Sequence, residues 1–149
     1  MFATKNLKKS TTGIALIASS FILGWQGSAK AESDYLTSLI SQTVDIMNQN
    51  LPMMVDNDTR WDSSSAGPGK QLNYNYTLVN YSSAELSNPQ MFNFQVFEDS
   101  LNYSIKTEVC QLQAVKFLFQ NGVVATYNYY ANDNEFVTQI EVSPSDCGY

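Results

Sequence analysis

The amino-terminal 31 residues decide which part of this chain folds and in which compartment it does so. Three lysines precede an apolar run from Ile14 to Trp25, and Ala29-Lys30-Ala31 places small residues at the cleavage positions. This order is typical of a secretory signal peptide. The run is shorter than the roughly 20 residues that cross a bilayer, which favours a cleaved leader over an anchor. We therefore predict a signal peptide over 1–31 and a single domain over 32–149.

Removal of the leader would leave a strongly acidic chain. All 14 acidic residues follow Ala31 but only four of the 8 basic residues do, so the mature 118 residues carry a net charge of −10. Nucleic-acid backbones and anionic lipid surfaces both select clustered Lys and Arg. The sequence predicts no nucleic-acid partner and no stable membrane anchor. A basic protein partner is compatible with this charge, which also serves solubility.

The two cysteines, Cys110 and Cys147, both lie in the predicted mature domain. Export places them in an oxidising compartment, where pairing is the default. The spacing is not that of a C-x-x-C redox pair, and no further metal ligands accompany them. We predict a disulfide whose loop of about 38 residues stabilises the fold by about 3 to 4 kcal/mol in the chain-entropy model.

Apolar periodicity predicts two helices and leaves a third open. The first begins near Ser33 and ends before Pro52. The second begins at Asn88-Pro89, and its apolar stripe consists of Phe94, Phe97, Leu101, Ile105 and Val109. Residues 111–120 alternate like a strand but end at Asn121-Gly122, which either turns a hairpin or ends a helix, and we favour a helix.

Four segments have the composition and alternation of strands. Residues 53–65 and the alternating run from Leu72 to Val79 flank the turn Ala66-Gly67-Pro68-Gly69. Residues 123–130 and 136–142 flank a second turn. The predicted fold is α+β, with two to three helices packed on a mostly antiparallel sheet of about four strands and one disulfide.

The absence of histidine removes the commonest catalytic units. Ser-His-Asp and Cys-His sites and His-ligated zinc all need an imidazole. A hydrolase built on carboxylates would need two acids about 5 to 9.5 Å apart in a cleft, and the sequence does not place any pair in that way. We predict that the protein is not an enzyme and uses no cofactor.

The densest polar segment runs from Asp56 to Asp62. Its order does not match a calcium loop, which needs a glycine at the sixth position and a glutamate at the twelfth. In an extended chain the carboxylates and Arg60 would share one face and neutralise one another in part. We predict no metal site, and if a cation binds, its candidate ligands are Asp56, Asp58 and Asp62.

The nine tyrosines are the most suggestive feature for recognition, because tyrosine combines a large rigid ring with a polar tip. Tyr74 and Tyr76 alternate with Leu72 and Leu78 on one strand face, which favours core packing. The candidate binding residues lie on or beside the strands, and they are Tyr81, Tyr127, Tyr129 and Tyr130. Tyr81 and Tyr130, at strand ends, are the better placed of these to remain exposed.

The carboxyl-terminal third carries one resemblance. Its pieces are Cys110, an apolar segment that ends at Gly122, Tyr127 and Tyr129 two positions apart, and a closing Asp146-Cys147. Together they resemble a pattern of small exported bacterial proteins of uncharacterised function. The resemblance covers residues 110–147. It implies the disulfide and a helix over residues 111–120, and it implies no activity, cofactor or catalytic residue.

These features lead to a ranked set of functional hypotheses. The first is an exported, non-catalytic binding protein that acts on a protein partner in the cell envelope, as an inhibitor, immunity factor or accessory subunit. The alternatives are a periplasmic protein that binds a small ligand or a cation, and a carboxylate-based hydrolase. We expect the protein in the periplasm or outside the cell.

The leader and the disulfide are testable together by mass spectrometry of the protein purified from its native host. We expect a mass that begins at Glu32 and lacks two hydrogens relative to the reduced chain, because export both removes the leader and oxidises the thiols. An intact leader, or free thiols at both cysteines, would contradict the predicted compartment.

Overall fold

A computed structural model describes the backbone of residues 12–149 and the side chains of residues 30–149. Residues 1–11 of the predicted signal peptide lie outside the described residues. Cleavage after Ala31 stays a prediction, because the fold does not test it. The chain divides into two units, 1–35 and 36–149, and the fold described below is that of the second. Among the residues that the structure describes, no helix combines the length and apolar character that a membrane crossing needs.

The elements follow one another with short connections. In chain order they are α1 (Thr12–Asn48), β1 (Met53–Met54), β2 (Thr59–Gly67), β3 (Gln71–Leu78), α2 (Ser83–Leu86), α3 (Phe94–Gln111), α4 (Gln113–Gln120), β4 (Val124–Ala131), β5 (Phe136–Val142) and a 3₁₀ helix (Pro144–Cys147). The first helix ends before Pro52 as predicted. It does not begin near Ser33, because the preceding residues continue the same helix.

The five strands form one sheet in the order β1-β2-β3-β4-β5. The α+β class is confirmed, and three of the four strand pairings are antiparallel as predicted. Within the described residues, the structure differs from the prediction in having five strands rather than about four, one parallel pairing, and four α-helices rather than two to three, the unpredicted helix being the four-residue α2. The additional strand β1 has only two residues, too few to show an alternating pattern. The β3–β4 pair is parallel, because three helices carry the chain across one face of the sheet between these strands, as a parallel connection requires.

Local capping signals explain where the helices begin and end. Helix α3 begins at Phe94 rather than at Asn88-Pro89, because the Asn93 side chain accepts a hydrogen bond from the Val96 amide and caps the helix there. The favoured helix at residues 111–120 is present as α4. It ends at Gln120, and Gly122 follows the C-cap residue Asn121 with a φ of +81°, which suits glycine. The Val123 amide donates back to the Leu118 carbonyl.

The core lies between one face of the sheet and the helices. The largest fully buried side chains are Leu36, Ile40, Leu72, Val123 and Val142. At the end of α1, the Asn48 side chain donates to the Ser64 carbonyl and accepts from the Ser64 amide, at 2.9 and 2.8 Å. This pair of bonds holds the end of α1 against strand β2.

The opposite face of the sheet is polar. The Asn75 amide donates to the Ser63 hydroxyl at 3.0 Å, and the Asn128 amide donates to Asn75 at 3.1 Å. On the same face, Asp62 accepts from Thr77 and pairs with Arg60. Alternation along each strand separates this polar face from the apolar one.

The predicted disulfide joins Cys110, at the end of α3, to Cys147 in the 3₁₀ helix. It ties the carboxyl terminus to the helical layer. We expect the double variant Cys110→Ser, Cys147→Ser to lose about 3 to 4 kcal/mol of unfolding free energy, because the unfolded chain regains the entropy of the closed loop. Urea denaturation measures this loss.

Reduction provides the matched control for that measurement. A reducing agent should lower the midpoint of the wild-type protein to that of the double variant and leave the double variant unchanged. A double variant as stable as the oxidised wild type would contradict the assigned role of the crosslink.

Candidate functional site

Four of the nine tyrosines form a stacked group at the centre of the sheet. In the parallel register, Tyr74 lies opposite Tyr127 and Tyr76 lies opposite Tyr129. The ring centroids of these two pairs are 4.8 and 5.2 Å apart. Trp61 of β2 extends the group, with its ring 5.6 Å from that of Tyr74. The group, here called the tyrosine stack, lies on the apolar face beneath the helices.

Burial changes the acid–base behaviour of the tyrosine stack. It raises the pKa of Tyr74 to about 12. Burial together with the negative charges of Asp56 and Glu108 raises the pKa of Tyr129 to about 12. Burial, together with repulsion from neighbouring tyrosines in their ionised form, raises the pKa of Tyr76 and Tyr127 further still. All four hydroxyls are therefore neutral at physiological pH, and none can act as an anionic base.

The structure separates the four tyrosines that the sequence suggests for binding. Tyr127 and Tyr129 are only 8% and 6% exposed, so their rings are core residues with little surface to offer a partner. Tyr130 is half-buried and contacts the Phe136 ring, with centroids 5.8 Å apart. Tyr81 is also half-buried and packs against Phe92. The four do not form one recognition surface.

The three candidate metal ligands are not brought together. Asp56 closes a turn by accepting the amides of Asp58 and Thr59 at 2.8 and 2.7 Å. Asp58 accepts from the Asn80 side chain at 2.6 Å, and Asp62 lies on the polar sheet face with Arg60. Within residues 30–149, no cluster of three or more His, Cys, Asp or Glu side chains is placed to hold a metal ion.

The predicted common face forms only in part, because Asp62 lies on the polar sheet face and pairs with Arg60, whereas Asp56 and Asp58 precede the strand. Asp56 and Asp58 belong to the turn before β2 rather than to the strand. A bulge between Trp61 and Ser63 then interrupts the alternation of β2 at Asp62. Asp56 and Asp58 instead share a cavity of about 390 Å³ with Tyr81, Phe92 and other apolar residues.

A larger cleft, of about 590 Å³, lies where α2 and the start of α3 meet the start of β5. Its apolar wall consists of Leu86, Pro89, Phe92, Phe94, Phe136 and Val137. Its polar lining consists of Ser83, Ser87, Asn93 and Gln95. None of these side chains is ionisable at physiological pH. The cleft therefore suits an apolar group, and its lining offers no side chain that is charged at physiological pH.

Short-range hydrogen bonds hold the walls of this cleft. Ser82 and Glu85 form a reciprocal capping box at the start of α2. The amide and hydroxyl of Ser83 both donate to Asp133, at 3.0 and 2.7 Å, which ties α2 to the turn between β4 and β5. These bonds keep the Asp133 pKa below its usual range. Sequence reasoning missed the cleft, because its two walls are about 40 residues apart in the chain.

A second depression, of about 330 Å³, lies farther along the seam between α3 and β5. Glu98, Asp99 and Glu141 line it, together with Lys106. The Lys106 ammonium pairs with Asp146 at 2.8 Å, and this contact, together with hydrogen bonds from the Ser143 amide and hydroxyl, lowers the pKa of Asp146 to about 2. Since Asp146 offsets the one cation, the three carboxylates leave the depression acidic.

Sequence comparisons identify no relative. No protein-family model matches the chain, and no curated protein matches its sequence. They therefore give no support for the group of small exported proteins that residues 110–147 resemble, although the disulfide implied by that resemblance is present.

Three solved structures share the fold. A Pseudomonas aeruginosa protein described as secreted is 16% identical, with a TM-score of 0.64 over 78% of this chain and 96% of its own. The pilotin EpsS of the Vibrio vulnificus type II secretion system is 11% identical, with a TM-score of 0.60 over 80% of this chain and 98% of its own. The type II secretion pilotin AspS of Vibrio cholerae is also 11% identical, with a TM-score of 0.60 over 80% of this chain and 99% of its own. Identities this low show a common fold alone.

The tyrosine stack predicts a loss of stability at alkaline pH. Unfolded tyrosines ionise near pH 10, whereas Tyr74 and Tyr129 keep their protons to about pH 12. The unfolded state therefore loses protons first. Stability is fully present below about pH 10 and falls by about 1.4 kcal/mol per pH unit for each such tyrosine up to about pH 12.

Denaturant titrations from neutral to alkaline pH measure this slope. Tyr74→Phe should make the alkaline slope shallower by about 1.4 kcal/mol per pH unit. The control Tyr103→Phe changes a well-exposed ring and should leave the slope unaltered. Equal slopes for the wild type and Tyr74→Phe would contradict the raised pKa.

Proposed function

We propose that this chain is an exported, non-catalytic protein that binds a protein partner in the cell envelope. The observation that carries the proposal is the cleft of about 590 Å³, which has an aromatic wall and no ionisable side chain in its lining. Its rim residue Phe136 is 57% exposed, and Met91 and Val96 are exposed in the adjoining segment.

Such a surface has the chemistry of a protein interface. Interface centres are enriched in aromatic residues and methionine and depleted of charge, and a polar rim surrounds them. Here Phe92, Phe94 and Phe136 supply the aromatic centre, and serine, asparagine and glutamine side chains supply the polar border. A partner side chain that fills the cleft would bury apolar surface that is otherwise in contact with water.

The fold supports an envelope role within the limits of a distant likeness. Two of the three structures with this fold are pilotins of type II secretion systems, and the third is described as secreted. Of the three roles that the sequence suggests, inhibitor, immunity factor and accessory subunit, this likeness favours an accessory subunit. The disulfide suits an oxidising compartment, and we place the protein in the periplasm.

A pair of phenylalanine variants tests the cleft. The wild-type protein is immobilised, a saturable partner is recovered from an envelope extract, and its affinity is measured with purified components. Phe136→Ser should weaken binding at least about tenfold, because it removes an aromatic anchor at the cleft. The matched control Phe117→Ser removes a 49% exposed ring on α4, outside the cleft lining, and should bind like the wild type.

Melting temperatures of both variants should stay close to that of the wild type, since both rings are about half exposed. Failure to recover any saturable partner would contradict the proposed function. Equal affinities of Phe136→Ser and Phe117→Ser for the partner would show that the cleft is not the binding site.

A further inference from the structure

Strand β5 presents a free sheet edge of seven residues. It is the last strand of the sheet, and within the described residues the backbone of Phe136–Val142 pairs with β4 alone. The opposite edge strand, β1, has two residues, whereas β5 has seven. Sheet edges are normally protected by brevity, proline, inward charge or a covering helix or loop. Helix α3 packs beside β5, but within the described residues no backbone hydrogen bond joins the two. Within β5 there is no proline, and Glu141 is the one charged residue.

Helix α3 runs beside this edge and forms a continuous seam with it. The cleft lies at the start of both elements, between Phe94 and the Phe136-Val137 pair. The acidic depression lies farther along both, near Glu98 and Ile140. Between these depressions, the Thr138 hydroxyl donates to Glu98 and joins the strand to the helix. Val137 and Ile140 are three positions apart along the strand, which corresponds to about 10 Å.

The two depressions differ in the side chains that they can accept. The cleft has no charge and an aromatic wall, so it suits a large apolar side chain. The second depression has three carboxylates, and its one lysine is paired with Asp146. An incoming Lys or Arg would therefore meet an uncompensated negative field, and an acidic side chain would be repelled.

We infer that an extended segment of the partner adds to the sheet along β5, with an apolar side chain in the cleft and a Lys or Arg two to four residues away over Glu98, Asp99 and Glu141. Backbone pairing with the β5 edge supplies affinity, and the two depressions supply sequence selectivity. This inference rests on the proposed function, since it specifies the partner segment that the same surface recognises.

Synthetic peptides test the charge preference without knowledge of the partner. The probes are pooled octapeptides with a fixed Phe and, about two to four residues later, a fixed Arg or a fixed Glu, the other positions being Thr, Val, Ser and Gln. The protein is purified from cells that express the full chain. Arg pools should bind at least about tenfold more tightly than Glu pools at low salt, and added salt should narrow the gap.

Hydrogen exchange tests the backbone pairing. Binding of the Arg pools should slow exchange of β5 amides, because the new strand satisfies groups that otherwise contact water. The same peptides N-methylated at alternate positions should lose most of their affinity, since one edge of the added strand can no longer donate. Protection of α3 without β5, or equal binding of the methylated peptides, would overturn strand addition.

Matched acidic variants test the second depression. The double variant Asp99→Asn, Glu141→Gln should bring the Arg and Glu pools to similar affinities. The control Asp34→Asn, Asp45→Asn removes the same charge from exposed positions on α1 and should keep the tenfold gap. The inference would be overturned if neither pool binds the wild type or if both bind it equally well. It would also be overturned if both double variants lose the affinity difference between the Arg and Glu pools to the same extent.

The envelope partner separates this inference from the proposed function. A partner whose affinity depends on Phe136 but whose complex leaves β5 exchange unchanged would retain the proposed function and overturn the strand pairing. A complex that protects β5 and depends on Asp99 and Glu141 would support both.

Discussion

The parallel pairing of β3 with β4 is the contact on which the rest of the structure depends. It sets Tyr74 against Tyr127 and Tyr76 against Tyr129, so that four rings stack across two strands in the middle of the core. It also requires the chain to cross one sheet face between the two strands, and α2, α3 and α4 make that crossing. The tyrosine stack and the helical layer thus have one origin.

The same crossing creates the surface on which function is proposed. Helix α3 lies along β5, and the short helix α2 fastens to the β4–β5 turn through Ser83 and Asp133. The cleft and the acidic depression are both consequences of this placement. On the opposite sheet face, polar side chains satisfy one another, from Ser63 through Asn75 to Asn128.

Local signals account for the correct sequence predictions. The apolar stripe of α3, the glycine that follows α4 and the turn between β2 and β3 each depend on residues within a few positions of one another. The position of the α3 start was missed because Asn88 and Asn93 are both able to cap, and the Asn88 segment forms a separate turn. The pairing of Asp62 with Arg60 agrees with the predicted partial neutralisation, whereas Asp56 and Asp58 were misplaced because the Asp56 side chain closes a turn before β2 begins.

The sequence by itself determined the types of most elements, the pairing of the only two cysteines and the acidic balance of the chain, because periodicity, capping and composition are local or additive. Only the tertiary structure decided the strand order, the burial of Tyr127 and Tyr129, and the meeting of Phe94 with Phe136 across the cleft. These depend on contacts between residues about 40 or more positions apart, where loop closure and packing compete among many arrangements with similar local patterns.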